Sequence, residues 1–399
     1  MNLVEKHIID KNHKFFKEVD ELSFLSKNLY NYANYVIRQE FINNGNYFNY
    51  NDIQKLLQSH ETYKALPAKV SQQILMVLDK NWKSFFNAIK DWQINKNKYL
   101  GRPKLPKYKH KVHGRNILIY TIQAVSSKYL QDNLISLSKT NIVFFSKVCS
   151  EKIQQVRIIP RYSYYVVEIV YEKETPVIKE AGNRLSIDIG LNNLSAVYID
   201  NNKTFLINGR PLKSINQFYN KEKASLMSNV GDKGSSRKIE KLTLKRNNKI
   251  QDYLHKASRA VIDIAQANDV CEIIIGHNPN WKQEIELGRR NNQNFVSVPF
   301  KSYIDMLQYK AGLLGIKTTI TEESYTSKVD HLVGESLGKH ESYSGRRIKR
   351  GLFRSAIGKV INADINGAVG IMRKVVPNVI NKIIKGIEGV VVHPKLVTV

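Results

Sequence analysis

The chain has 399 residues, of which 42% are hydrophobic and 10% aromatic, so it can bury more than one ordinary core. Its 62 Lys and Arg residues against 35 Asp and Glu residues leave a formal net charge of +27, an excess usually kept for contact with a polyanion. Two cysteines, Cys149 and Cys271, exclude a disulfide framework and a cysteine-ligated zinc site. We find no secretory signal and no apolar run near the roughly 20 residues of a membrane span, and so expect a prokaryotic cytosolic or nucleoid protein.

The first region, residues 22–95, has apolar residues at helical spacing from Leu22 to Trp92. We interpret it as a helical lobe. The lysines on its second helix either contact nucleic acid or form a solvated face.

A basic strap follows at residues 99–111, where glycine and prolines exclude a continuing helix. Lysines suit phosphates and tyrosine rings suit stacked bases, so the strap is a candidate nucleic-acid contact. A solvated linker is the alternative. The candidate residues are Arg102, Lys104, Lys107, Tyr108 and Lys109.

Short alternating runs between residues 117 and 174 predict a small antiparallel barrel or sheet. The turn-rich segment from Lys173 to Gly182 then marks a boundary. We assign residues 1–21 and 96–180 to this β domain.

The remaining residues, 181–399, predict strands and helices in alternation. Gly190–Asn193 joins the first two strands as a hairpin, and 203–208 adds a third antiparallel strand. A basic helical insertion, 214–267, comes next, and then strands at 272–275 and 317–321 with a helix from Tyr303 to Leu314 between them. This is the order of a ribonuclease-H-like domain. The expected fold class is therefore α+β and multidomain.

Two aspartates are the candidate chemical groups. Asp188 lies in an apolar strand, where a carboxylate is costly unless backbone amides or a cation compensate it. Asp364 opens a helix rich in small residues, where it either complements the helix dipole or binds metal. Carboxylates suit Mg²⁺ or Mn²⁺, and a pair of such ions promotes phosphodiester hydrolysis.

Three motifs in order give the chain a resemblance to the RuvC nuclease domain of the TnpB family, which is related to type V CRISPR effectors. They are Ser186–Leu191, Glu323–Lys328 and Asn362–Ala368, and the similarity extends upstream over nearly the whole chain. The resemblance implies a transposon-encoded, RNA-guided DNA endonuclease. Residues 22–95 would be a recognition lobe, and the β domain would be a wedge that holds the RNA scaffold.

The partners implied by the resemblance are a guide RNA from the transposon end and double-stranded target DNA, with one copy of the chain in the RNA complex. The expected cofactor is a pair of Mg²⁺ or Mn²⁺ ions. Further nucleic-acid-binding candidates lie in two basic segments. Those on the basic helix are Lys245, Arg246 and Lys249, and those in the loop 329–360 are Arg346, Arg347, Lys349 and Arg350.

One departure from the family pattern concerns the third carboxylate, because the usual catalytic Glu position holds Gly276. Glu272 lies about 13 Å away along the strand and cannot replace it. Glu323 is our preferred substitute and Glu322 the alternative, since both follow strand 317–321, which we expect beside the Asp188 strand. Only one of two successive residues should face the site.

The second departure is a loop, residues 329–360, that lacks the cysteines of the family's zinc ribbon. His331 and His340 alone make a weak zinc site, so we expect no structural zinc.

Gly276 keeps a second function open, a cleavage-deficient RNA-guided DNA-binding protein that acts as a repressor. A DNA-joining transposase lacks a nucleophile motif here, and a ribosomal structural protein would not explain the acidic motifs.

Overall fold

The computed structural model describes residues 1–161, 163–231, 236–278, 288–349, 351–379 and 393–399. Two compact units divide the chain, residues 1–174 and residues 175–399. The division falls in the turn-rich segment that begins at Lys173. The finer division of the first unit into a recognition lobe and a wedge stays a prediction.

The first unit combines long helices with antiparallel strands. Its elements are β1 (Asn2–Asp10), α1 (Phe16–Asn44), α2 (Tyr50–Leu57), α3 (Glu61–Lys64), α4 (Ala68–Ile94), β2 (Leu118–Thr121), α5 (Ser127–Leu130), β3 (Leu134–Ser136), β4 (Val143–Phe145), β5 (Lys152–Pro160) and β6 (Tyr164–Glu172). The first helix begins at Phe16, earlier than the predicted Leu22, because Phe16 and Val19 extend its buried stripe.

The strands of the first unit form an antiparallel sheet in the order β1-β6-β5-β2 and a separate β3-β4 ribbon. The predicted antiparallel pairing is thus confirmed, while closure into a barrel stays a prediction. One apolar core joins the sheet to α1 and α4, and the fully buried Trp82 lies in it.

The second unit is a mixed sheet with helices. Its elements are β7 (Asn183–Asp188), β8 (Asn193–Ile199), β9 (Thr204–Asn208), α6 (Arg210–Ser228), α7 (Arg237–Ala267), β10 (Val270–Gly276), α8 (Arg289–Ser297), α9 (Phe300–Gly312), β11 (Lys317–Thr321), β12 (Arg346–Lys349), β13 (Leu352–Arg354), β14 (Val360–Asn362), α10 (Ala363–Val375) and β15 (Lys395–Val397).

Within the described residues the main sheet has the order β11-β10-β7-β8-β9-β15. The predicted hairpin and third strand are confirmed, since β7, β8 and β9 pair antiparallel, and β10 and β11 are parallel to β7. One core includes α7 and α9 against one face of the sheet. A second core includes α10, which packs on β7, β8 and β10.

One predicted neighbour relation is wrong. The strand 317–321 was expected beside the Asp188 strand, but β10 pairs with both β7 and β11 and separates them. The end of β11 is therefore two strand spacings from β7, which is about 10 Å. In the described part of the chain, no helix is both long and apolar enough to cross a membrane.

Candidate active site

Asp188 ends β7 with its side chain towards α10. Leu185 and Ile187 are buried in the core on the other face, and strand alternation turns Ser186 and Asp188 the opposite way. The Ser186 hydroxyl donates to the Ala368 carbonyl at 2.7 Å, which fixes the helix against the strand. A Cβ at residue 367 would overlap the Asp188 carboxylate, so Gly367 leaves room for this side-chain position.

Asp364 is held in the first turn of α10. The Asn362 side chain caps the helix by accepting from the Asp364 and Ile365 amides at 2.9 and 3.2 Å. Asn193, the first residue of β8, donates from Nδ2 to Asp364 Oδ2 at 2.8 Å. The carboxylate is thus tied to the sheet. Sequence reasoning treated Asn193 only as a hairpin residue, and no local pattern indicated this contact.

Glu323 lies in the turn that follows β11, and its carboxylate extends towards Gly276 at the end of β10. A Cβ on Gly276 would overlap the Ile371 side chain and would stand 3.2 Å from Glu323 Oε2. The missing side chain at the end of β10 therefore leaves room for the Glu323 carboxylate to reach across the intervening strand. Asn278 Oδ1 accepts from the Glu323 amide at 2.9 Å and fixes the turn. The neighbouring Glu322 is exposed.

The three carboxylates influence one another electrostatically. Burial, followed by the negative charges of Glu323 and Asp364, raises the pKa of Asp188 well above its usual range, and Arg347 opposes this. Burial raises the pKa of Glu323 to about 7, against the opposing charge of Lys374. A cation among these groups would relieve both desolvation and repulsion.

Metal ligation needs side-chain adjustment from the arrangement seen. Within the described residues, no three His, Cys, Asp or Glu side chains are already disposed to hold a metal ion. The donor set nevertheless fits a hard divalent cation, because Asp188, Glu323 and Asp364 all offer carboxylate oxygens. The backbones of these three residues are held by neighbouring elements. Metal binding would therefore bring the carboxylates together by rotation of the side chains.

The loop without cysteines is held by a buried polar network. The Arg373 Nη1 group donates to His331 Nδ1 at 2.6 Å, so the other ring nitrogen, Nε2, is a donor to the Thr326 carbonyl at 2.7 Å. Burial lowers the pKa of His331 to about 4 and keeps the ring neutral. Both ring nitrogens are thus engaged in hydrogen bonds within the protein.

A second part of this network surrounds Asp330. Its carboxylate accepts from the Ser355 hydroxyl at 2.7 Å and from the Ala356 amide at 2.8 Å. The Asp330 amide donates to Glu335 Oε2 at 2.7 Å, and Glu335 Oε1 accepts from Ser344. Asn366 on α10 donates to the Val329 carbonyl at 2.9 Å. The segment that carries Glu323 is therefore anchored to the helix that carries Asp364.

The strap candidates lie on the first unit. Arg102, Lys104, Lys107 and Lys109 are exposed, and Tyr108 is 44% exposed with the Arg38 guanidinium 4.9 Å from its ring centre. Their side chains are accessible to a ligand.

The candidates on α7 and β12 behave differently from one another. Lys245, Lys249, Arg346, Arg347 and Lys349 are exposed, whereas Arg350 lies outside the described residues. Arg246 is half-buried and donates to Asn216 Oδ1 and to the Ser297 carbonyl, each at 2.7 Å from Nη2. Its guanidinium therefore joins elements of the unit, and the proposed interface on α7 rests on the two lysines.

Fold and site together define a multidomain mixed α/β protein with a carboxylate cluster and a basic surface. Residues 168–282 match the family described as OrfB_IS605, probable transposase, and residues 300–371 match the Cas12f1-like TNB domain. The TnpB-like protein ORF457 of Acidianus two-tailed virus is 23% identical over 95% of this chain and 88% of its own length. These matches support a relationship of the chain to the TnpB family.

Another relative is the CRISPR-associated endodeoxyribonuclease Cas12f2 of Micrarchaeota archaeon (strain CG1_02_47_40), 29% identical over 55% of this chain. The match covers only 41% of that relative's length. Among solved structures, a Cas12f1–sgRNA–target DNA complex matches 92% of this chain and 98% of its own with 14% identity and a TM-score of 0.38. The mini-RNA-guided endonuclease CRISPR-Cas_phi3 matches 96% and 92% with 10% identity and a TM-score of 0.44.

Proposed function

We propose that the protein is an RNA-guided DNA endonuclease encoded by a transposable element, with Asp188, Glu323 and Asp364 as its metal-binding carboxylates. The observation that carries the proposal is the approach of Glu323 to the space beside Gly276, next to Asp188. The names of relatives support the nuclease class, since one is an endodeoxyribonuclease and another is TnpB-like.

We further propose that the second unit is a ribonuclease-H-like, RuvC-type domain, with the helical insertion 214–267 and the zinc-less loop 329–360. The strand order β9-β8-β7-β10-β11, with its antiparallel and parallel halves, supports this assignment. Residues 1–21 with 96–180 would be the wedge and residues 22–95 the recognition lobe. Guide RNA would select one DNA strand by base pairing, while the protein holds the heteroduplex by shape and backbone charge.

The chain's own residues would have separate tasks in hydrolysis. Two divalent cations, Mg²⁺ or Mn²⁺, would supply an activated water and stabilise the leaving oxygen. Asp188 and Asp364 would hold them from the strand and the helix, and Glu323 would complete the ligand set. Asn193 would orient Asp364, and the exposed Arg347 would attract the phosphate backbone towards the site.

The alternative is an RNA-guided DNA-binding repressor that does not cleave. Gly276 favours this alternative, because a glycine stands where the family pattern has its catalytic Glu. Glu323 argues for cleavage, since its carboxylate occupies the neighbouring space.

The deciding experiment is plasmid cleavage by the protein co-purified with its associated RNA, in Mg²⁺ and then in Mn²⁺, with target binding measured in parallel. Cleavage of a plasmid that matches the RNA, and not of one that lacks the match, supports the endonuclease. Tight binding of the matched target without cleavage in either metal would establish the repressor instead.

A further inference from the structure

The strap of the first unit is bound along its backbone by one face of α1. Lys27, Asn31 and Asn34 are spaced by four and three residues, so they share a helix face. Their side chains donate to strap carbonyls at 2.7, 2.9 and 3.0 Å, those of Lys111, Lys109 and Pro106 respectively. The backbone of the strap is therefore fixed, and its exposed side chains Arg102, Lys104 and Lys107 are accessible to a ligand.

Two of these contacts are reinforced. Asn31 Oδ1 accepts from the Lys109 amide at 2.8 Å, so the pair exchanges two hydrogen bonds. The Asn34 side chain is itself held by the buried indole of Trp82, whose Nε1 donates to Asn34 Oδ1 at 3.1 Å. A strap held in this way resembles a preformed ligand site more than a solvated linker.

A cavity of about 460 Å³ lies between the strap, α1 and α4, and we call it the strap cavity. Its volume is within the range of roughly 300–1,000 Å³ that is usual for ligand pockets. Four of its lining residues are cationic, Arg38, Arg102, Lys104 and Lys107, and none is acidic. The strap cavity is therefore suited to an anion.

The rest of the lining is apolar and partly aromatic: Phe41, Phe85, Pro103 and Leu105. The Phe41 ring meets Trp82 and Phe86 edge-on, with centroids 5.5 and 5.6 Å apart. Phe85 meets Trp82 in the same way at 6.0 Å. These neighbours fix the planes of both phenylalanine rings, so the cavity has a rigid aromatic wall beside its cationic rim.

We propose that the strap cavity binds one unstacked nucleotide of a single strand, with its base against Phe41 or Phe85 and its phosphate among the cationic side chains. Aromatic rings stack on any base, and guanidinium and ammonium groups bind phosphate. A base inside a duplex is already stacked and paired, so it cannot enter. An acidic peptide would satisfy the cations but would leave the aromatic wall without a planar partner.

This inference deepens the nucleic-acid-binding part of the proposed function and is independent of the carboxylate cluster. Its test is therefore carried out with EDTA, where cleavage cannot occur. A protein that does not cleave DNA could still bind a nucleotide in the strap cavity. Conversely, a strap cavity that binds no nucleotide would not contradict guided cleavage.

The experiment measures fluorescence anisotropy of full-length protein, freed of RNA in high salt, with labelled strands of about 15 nucleotides. The probes are oligo(dT), oligo(rU) and a DNA duplex of the same length. Phe85→Leu and Phe41→Leu keep an apolar side chain but remove the stacking ring. Phe145→Leu is the matched control, because Phe145 is 57% exposed on β4 and does not line the cavity.

We expect Phe85→Leu or Phe41→Leu to weaken single-strand binding at least about 5-fold, to change duplex binding less than about 2-fold, and the control to change neither. A larger loss for oligo(rU) assigns the site to RNA, and a larger loss for oligo(dT) assigns it to DNA. Equal losses for single strand and duplex, or unchanged affinity in both variants, would overturn the proposal. Displacement of the strand by polyglutamate of equal charge as readily as by oligo(dT) would overturn it as well.

A second measurement avoids substitution, in case the variants fold poorly. Oligonucleotides carrying 5-iodouracil are photocrosslinked to the wild-type protein, and the modified peptides are identified by mass spectrometry. An adduct on Phe41 or Phe85 supports the strap cavity, and adducts confined to peptides elsewhere contradict it.

Discussion

The Glu323 carboxylate stands 3.2 Å from the position that a Cβ on Gly276 would take. Gly276 is the last residue of β10, and Glu323 lies in the turn after the parallel strand β11. In the sheet, β10 separates β11 from the Asp188 strand. The glycine lets the longer side chain cross that strand. The third carboxylate of the proposed centre thus comes from the turn after β11, extends to the end of β10 and acts on Asp188 through its charge.

The first prediction compares the two adjacent glutamates. Glu323→Gln should lower guided plasmid cleavage at least about a hundredfold, since it removes a charged metal ligand, while target binding persists. Glu322→Gln is the matched control and should cleave like the wild type, because Glu322 is exposed. Loss of cleavage in the control with retention in Glu323→Gln would reverse the assignment.

The second prediction concerns the aspartates. Asp188→Asn and Asp364→Asn should each abolish cleavage and spare RNA and DNA binding, because the substitutions keep size and remove a ligand charge. Asp263→Asn, which removes a half-exposed partner of Arg259 on α7, is the control and should leave the rate unchanged. Cleavage at the wild-type rate by either site variant would rule out the centre.

The third prediction follows from the pKa of Glu323, which burial raises to about 7. In metal-free protein the folded state binds this proton more tightly than the unfolded state, so stability is lost as pH rises from about 4.5 to 7. Glu323→Gln should therefore raise Tm by about 2–4 °C at pH 8 and have little effect near pH 4.5. Thermal unfolding in EDTA at both pH values checks this, and an equal shift at both would contradict it.

Adding Mg²⁺ gives that experiment a second arm. Bound cation should raise the Tm of the wild type at pH 8 through linkage, and the rise should be smaller in Glu323→Gln. Equal stabilisation of both proteins would show that the cation binds elsewhere.

The fourth prediction concerns the zinc-less loop. His331→Ala leaves the buried Arg373 guanidinium without one acceptor, so the free energy of unfolding should fall by about 2–4 kcal/mol. His340→Ala is the control, since that ring lies near the surface and its Nε2 atom forms hydrogen bonds with Ser336. A zinc-selective chelator should leave the wild-type Tm unchanged. A chelator-induced drop would mean that zinc, not this network, holds the loop.

The fifth prediction tests packing at the end of β10. Gly276→Ala should destabilise the protein by about 1–3 kcal/mol and reduce cleavage, because the added Cβ overlaps Ile371 and approaches the Glu323 carboxylate. Gly338→Ala is the matched control, since no atom lies within 4 Å of the Cβ it would add. Unfolding midpoints and cleavage rates of the two variants should differ, and equal values would contradict the packing argument.

Sequence patterns predicted the antiparallel strands 183–208 well, because strand alternation and the hairpin signal are local. They also singled out Asp188, Glu323 and Asp364, although their roles stay predictions. The order of β7, β10 and β11 was predicted wrongly, since the neighbour of a parallel strand is decided by long-range packing and not by local spacing. The Asn193–Asp364 contact at the site and the His331–Arg373 contact in the loop were missed, because each joins segments far apart in the chain.

The crowding of Gly276, Ile371 and Glu323 couples substitutions at these three positions. A glutamate placed at position 276 would meet both the Ile371 side chain and the Glu323 carboxylate. Moving the carboxylate from position 323 to position 276 would therefore need simultaneous replacements, and the effects of the single substitutions should not add.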